Sequence, residues 1–180
     1  MSFRPFTSES YPQDDRPEAW RDVLSAAGLK PAPASANTAD GGHATASHRQ
    51  APGVALTRIA ASAQGISPLL LPNEDLPVAL LPVEDGVVLA SRTGHRIIPA
   101  GRLLLLPRHG DCSVLFQPAM RAVVLSVTSD ALHGRIAARP RLAEPHVVAP
   151  GGFADVFART LEASARVLET LDDAEWATLA

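Results

Sequence analysis

Cysteine is nearly missing from this chain of 180 residues, with Cys112 as its single example. One thiol can build neither an intrachain disulfide framework nor a thiolate zinc site. Lysine is equally scarce: of 16 basic residues only Lys30 is lysine, and the arginines are scattered rather than clustered. The formal net charge is −3. Together these exclude a basic tail, a polybasic membrane patch and the electrostatic footprint of a free-standing nucleic-acid binder. No apolar run approaches the roughly 18 residues of a membrane span. The polar opening MSFRPFTSESYPQDDRP has no apolar leader segment. The expectation is a cytoplasmic protein with no membrane contact.

Catalytic signatures are missing as well. The sequence has no G-x-S-x-G elbow, no P-loop, no G-x-G-x-x-G and no His-x-His. Its six histidines (43, 48, 95, 109, 133 and 146) are dispersed, whereas a metal site needs several donors converging on one ion. His43 and His48 have no carboxylate or thiol companion and read as solvated loop histidines. His109 stands three residues before Cys112, a spacing open to a Cys-His nucleophile. A lone cysteine at a strand position reads better as a small core residue. No catalytic residue, metal ligand or cofactor is therefore assigned.

What is there is enough apolar content for a core, with 46% hydrophobic and 19% charged residues. Residues 1–14 read as an irregular arm. In DRPEAWRDVLSAAG, Asp15 and Glu18 have the spacing of a capping box and Pro17 sits in the first turn. Trp20, Val23, Leu24 and Ala27 form one apolar face, and Gly28 supplies the stop. This predicts a helix over 16–27. Residues 30–53 are rich in small and breaker residues without a period, and read as a flexible loop.

From 54 the texture changes to short apolar runs separated by turns: VALTRIA, ISPLLL, LPVALLPV, GVVLASRT, HRIIPAG, RLLLLP, CSVLFQ and RAVVLSVT. Such spacing predicts an all-β barrel or sandwich. Pro68, Pro72, Pro77 and Pro82 are expected at strand ends or edges, because proline cannot donate to a ladder. TSDALHGRI predicts a short helix capped by Thr128 or Ser129. GFADVFARTLEASARVLETL, from 152 to 171, predicts a long amphipathic helix. Asp172 and Glu175 then have capping-box spacing, with Leu171 and Trp176 at the staple positions. A helix announced so near residue 180 suggests a piece of something longer.

The order EAWRDVL, GVALTRI, VALLPVEDGVVL, TGHRIIPAGRLLLLP and RAVVLSVTSDALHGR resembles the N-terminal, cupin-like sensor half of AraC-family transcription regulators. The resemblance implies a mainly β, cupin-like barrel or jelly roll with an N-terminal helix and a C-terminal helical pair. The expected division is an arm and helix (1–29), a flexible loop (30–53), the barrel (54–150) and a helical dimerisation segment (151–180). It also implies a small-molecule effector, a homodimer, and DNA contact only through a helix-turn-helix half absent from this chain. Where a metal cupin places histidine two residues after the Pro-x-Gly turn, this chain has Leu103, followed by Leu104; the barrel is expected to be metal-free. A stand-alone cupin-like enzyme and a ligand-free dimerisation scaffold are the rival readings.

A barrel pocket is mostly apolar with a few placed polar groups. Polar residues on otherwise apolar strands are thus candidate effector anchors: Arg58, Ser91, Arg92 and His95. An inward arginine would suit a carboxylate. For the dimer seam the candidates are Val156, Phe157, Leu161, Leu168 and Trp176.

Overall fold

A computed structural model describes residues 2–32, 43–70, 76–109, 111–129, 131 and 142–179. Ten strands and three α-helices follow one another as β1 (Ser2–Thr7), α1 (Arg16–Ala26), β2 (Leu29–Pro31), β3 (Ala44–Ala51), β4 (Val54–Pro68), β5 (Val78–Pro82), β6 (Val87–Ser91), β7 (Gly94–Ile98), β8 (Leu104–Leu106), β9 (Cys112–Val127), β10 (His146–Val147), α2 (Gly152–Arg166) and α3 (Asp173–Leu179).

Two long strands organise the barrel. The first half of β4 pairs with β3 and with the second half of β9, in a layer running β1-β3-β4-β9-β5-β8-β10. The second half of β4 and the first half of β9, Gln64–Ile66 against Val114–Phe116, join β2 on one side and β6-β7 on the other. The register shifts between Ser62 and Gln64, opposite the β9 segment that contains Pro118. A bulge there removes the need for the proline to donate, and the added bend turns both strands from one layer into the next. The result is the expected mainly β, cupin-like barrel with helices at both ends of the chain. VALTRIA with the ISP of ISPLLL, and CSVLFQ with RAVVLSV, are thus single continuous strands. Pro68 and Pro82 end strands β4 and β5, and Pro77 precedes β5; Pro72 lies outside the described residues.

Alternation along the strands sends two sets of side chains to two cores. Inside the barrel, Ile59, Ile66, Leu80, Leu104, Leu106, Phe116 and Met120 are at most 2% exposed. α1 closes this interior with Trp20 and Leu24, as its sequence face predicts. Outside, Leu56, Ala79, Leu81 and Val123 meet Ala158, Leu161 and Ala165 of α2, Leu168 of the turn that follows it and Trp176 of α3. The Pro99-Ala100-Gly101 turn is present, with Gly101 at φ 76° and its N–H donating to the Pro82 carbonyl at 2.8 Å. Beyond it, Leu104 points into the interior core and Leu103 into the helix-side core.

Four expectations need correction. Residues 2–7 are not an irregular arm but an edge strand paired with β3 over its full length. Residues 44–51 of the expected 30–53 loop are strand β3, and 29–31 are β2; residues 33–42 lie outside the described set. β1 is built on pairing distant in sequence and β3 on a tight hairpin with β4; in both, tertiary context overrides weak local propensity. Asp15 does not cap α1: Pro12 starts a turn that leaves Asp15 already helical, so its side chain makes no cap bond. Finally, the long helix stops at Arg166 rather than 171, and a turn at 167–170 follows. The helix expected from Thr128 falls largely on residues outside the described set.

Candidate functional site

Among the described residues, apolar side chains pack the barrel interior and ligand-sized spaces lie at its edges. One cavity of about 460 Å³ opens between α1 and the inner face of β1 and β3. That is within the 300–1,000 Å³ range typical of small-molecule pockets. Phe6, Ala46, Ala19 and Val23 give it apolar walls, and Tyr11 and Asp22 stand exposed at its rim. Phe6 sits 5.5 Å from Tyr11 and 5.7 Å from Trp20, centroid to centroid. Three of the eight aromatic residues in the chain therefore meet at this one place. Trp20 is fixed in turn by its indole N–H donating to Gln64 Oε1 at 3.0 Å.

His48 supplies the polar group of this cavity. It is buried, with Nδ1 2.8 Å from Thr57 Oγ1 across the β3–β4 ladder. This corrects the reading of His48 as a solvated loop residue. His43, by contrast, is exposed and pairs with Glu9 at 2.7 Å. Five residues apart on an extended chain, the two histidines face opposite sides and cannot share an ion. Among the described residues no group of three His, Cys, Asp or Glu side chains is placed to hold a metal.

β3 has a second face. Ser47 and Arg49 point away from the cavity toward the junction of α2 and α3. Arg49 Nε donates to the Leu168 carbonyl at 2.8 Å, and its guanidinium also donates to the Leu171 carbonyl. The carbonyls at a helix end lack helical partners, and one buried arginine satisfies two of those in this turn. Ser47 Oγ donates to Glu169 at 2.5 Å. α3 then starts in the expected reciprocal box: Ala174 and Glu175 N–H groups donate to Asp172 Oδ1, and the Asp172 N–H donates to Glu175 Oε2.

The four candidate anchors do not converge. Arg58 is exposed on the outer face of β4, in a separate depression beside Ser47 and Glu169. His95 is exposed on the β6–β7 hairpin. Ser91 and Arg92 do share a second cleft, with Cys112 and Asp111. Burial and the neighbouring Asp111 carboxylate push the Cys112 thiol up to about 11. A nucleophilic cysteine needs the opposite shift, so Cys112 is a core residue.

The seam candidates separate too. Leu161, Leu168 and Trp176 are buried against their own barrel, while Phe157 is half-buried and Val156 is 61% exposed. Phe153, which was not among the candidates, is 83% exposed and stacks on Phe157 at 6.4 Å. His48 and Arg49 also went unrecognised in the sequence. The one signal there was the alternation Ala44, Ala46, His48 against Thr45, Ser47, Arg49, which becomes legible once 44–51 is taken as extended.

No protein-family model matches this sequence, and no curated protein matches it either. Among solved structures, the AraC-like transcriptional activator CuxR superposes with a TM-score of 0.67 at 15% identity, covering 97% of this chain and 64% of that one. A putative ethanolamine utilization protein Q from Salmonella typhimurium LT2 superposes with a TM-score of 0.39 at 11% identity, over 48% of this chain and 71% of that one. A cupin superfamily protein from Desulfitobacterium hafniense DCB-2 gives 0.39 at 12% identity, over 48% of this chain and 78% of that one. The last two fits are too loose to carry an argument. The first is not: along nearly its whole length, this chain has the fold of the matched part of that activator, just under two thirds of it.

Proposed function

We propose that this chain is the sensing and pairing part of an AraC-like transcription regulator. It takes a small, largely apolar or aromatic effector in the cavity beneath α1 and passes occupancy to the helical pair, and through it to an attached DNA-binding part. The observation that carries this reading is the two-faced strand β3. Ala46 and His48 line the cavity, and their chain neighbours Ser47 and Arg49 hold the α2–α3 junction. A ligand that favours one position of β3 favours one position of that junction, as coupling requires. His48 offers an effector a hydrogen-bonding group among apolar walls.

Pairing of two chains is assigned to the exposed side of α2, where Phe153 and Val156 extend the half-buried Phe157. Burying two or three such side chains contributes roughly 1.5–3 kcal/mol each.

The test uses the full regulator with a transcription reporter. Val23→Trp fills the cavity. It should abolish the effector-dependent response while the purified domain melts as before. An unchanged response would place the effector elsewhere. A reporter indifferent to deletion of the whole domain would overturn the regulator reading.

A further inference from the structure

Ser91 and Arg92 belong to a cleft of about 500 Å³ that is separate from the cavity beneath α1. Strand register explains its chemistry. Lys30 on β2 lies directly opposite Ser67 on β4. One step beyond the Ile66–Val114 pair, Ser67 comes beside Ser113 of β9, and Ser113 is opposite Ala90 of β6. Residues so paired project from the same face, so a lysine, two hydroxyls and a methyl form a row across four strands. Ala90 leaves space where a larger side chain would fill the cleft.

Arg92 and Arg108 complete the lining. Arg108 is 2% exposed, and its guanidinium is fixed by the carbonyls of Leu76 and Leu69 and by Ser126 Oγ at 2.7 Å. Its charge therefore stays at the cleft whatever the solvent does. Arg92 stands exposed at the rim, in a long ion pair with the equally solvated Glu144 at 3.7 Å, which an incoming anion would have to displace. Lys30, the sole lysine, has no ion-pair partner among the described residues. The lining thus holds three cations against one carboxylate, Asp111, in a chain whose net charge is −3. Low-dielectric walls focus such a field toward anions.

We infer that this cleft binds a small molecule through a carboxylate or phosphate group, with Lys30 and Arg92 on the anion and Ser113 donating a hydrogen bond to it. It is a second site, independent of the effector cavity, and stands or falls without it.

The lone lysine provides the readout. Acylation by an amine-reactive ester, followed by peptide mass spectrometry, compares Lys30 with the N-terminal amine as internal standard. Inorganic phosphate or succinate, added at constant ionic strength, should protect Lys30 saturably and leave the N-terminal amine unaffected. Protection by phosphate alone assigns a phosphate-bearing ligand, and protection by succinate alone a carboxylate. Arg92→Gln should raise the half-protecting concentration about tenfold, the loss of one charge-assisted hydrogen bond. Ser113→Ala should raise it to a smaller extent. Equal protection by sodium chloride, absence of saturation, or an unchanged midpoint in both variants would overturn the site.

Discussion

His48 and Arg49 are consecutive on β3 yet serve opposite sides of the sheet. The imidazole of His48 bonds Thr57 within the barrel, while the guanidinium of Arg49 holds the carbonyls of Leu168 and Leu171 outside it. Arg49→Met removes the outer contact and leaves the inner one intact. Each hydrogen bond to a charged group contributes about 1.5–3 kcal/mol. A loss of about 2 kcal/mol lowers Tm by about 4–8 °C in a chain of this size. Hydrogen exchange should quicken most in the 167–171 turn. Unchanged exchange there would show that the apolar contacts alone fix the junction.

Gly53 and Gly101 both have positive φ, at 80° and 76°, but differ in their surroundings. A Cβ on Gly101 meets nothing within 4 Å, whereas one on Gly53 falls 2.4 Å from Ala131 Cβ and 2.9 Å from Thr128 Oγ1. Gly101→Ala should lose only the backbone term, about 1–2 kcal/mol. Gly53→Ala adds overpacking of about 1–3 kcal/mol. Thermal melts of the two variants should rank them in that order.

The thiol of Cys112 has a pH signature. Its folded-state value of about 11 lies above the ordinary 9.0 because of burial and Asp111. The folded state thus keeps its proton where the unfolded state has lost it. This contribution is fully present below pH 9 and is lost as pH rises toward 11. Stability of the wild type should therefore fall more steeply across that interval than stability of Cys112→Ala. Iodoacetamide should label the native thiol slowly at neutral pH. Equal slopes in the two proteins would show that burial does not disfavour the thiolate.

On α2 and the turn that follows it, charge should act differently at two faces. Leu161→Glu and Leu168→Glu place a carboxylate in the core between helix and barrel and should unfold the domain, because an unpaired buried charge is strongly disfavoured. Phe153→Asp with Val156→Asp acts on exposed positions. The double variant should melt as the parent does and shift sedimentation from dimer to monomer. A parent that is monomeric at high micromolar concentration would sink the pairing proposal.

The sequence made the barrel legible where strands are apolar enough to speak for themselves. Val78–Pro82, Val87–Ser91 and the runs within β4 and β9 alternate with clear turns. β1 and β3 were illegible because SFRPFT and ATASHRQA have weak individual propensities and acquire an apolar face only when paired. Ala44 and Ala46 are small because Phe6 and Trp20 share the core with them, a relation no local window contains. The end of α2 was hidden for a similar reason: the apolar period runs past Arg166, and Arg49, far back in the chain, stabilises the turn that interrupts it. The same limit applies to the two clefts. Lys30, Ser67 and Ser113 become neighbours through strand register alone.

The two long strands also govern how the chain is made. Val54 pairs with Val127 and Ile66 with Val114, so β4 leaves the ribosome well before the strand that completes it. Until then Leu56 faces out and Ile59 faces in with neither covered. Pairings this distant in sequence fold on the millisecond-to-second scale, and a waiting strand edge is open to other nascent chains. Yield in the cell should therefore depend on the speed of elongation between residues 66 and 112.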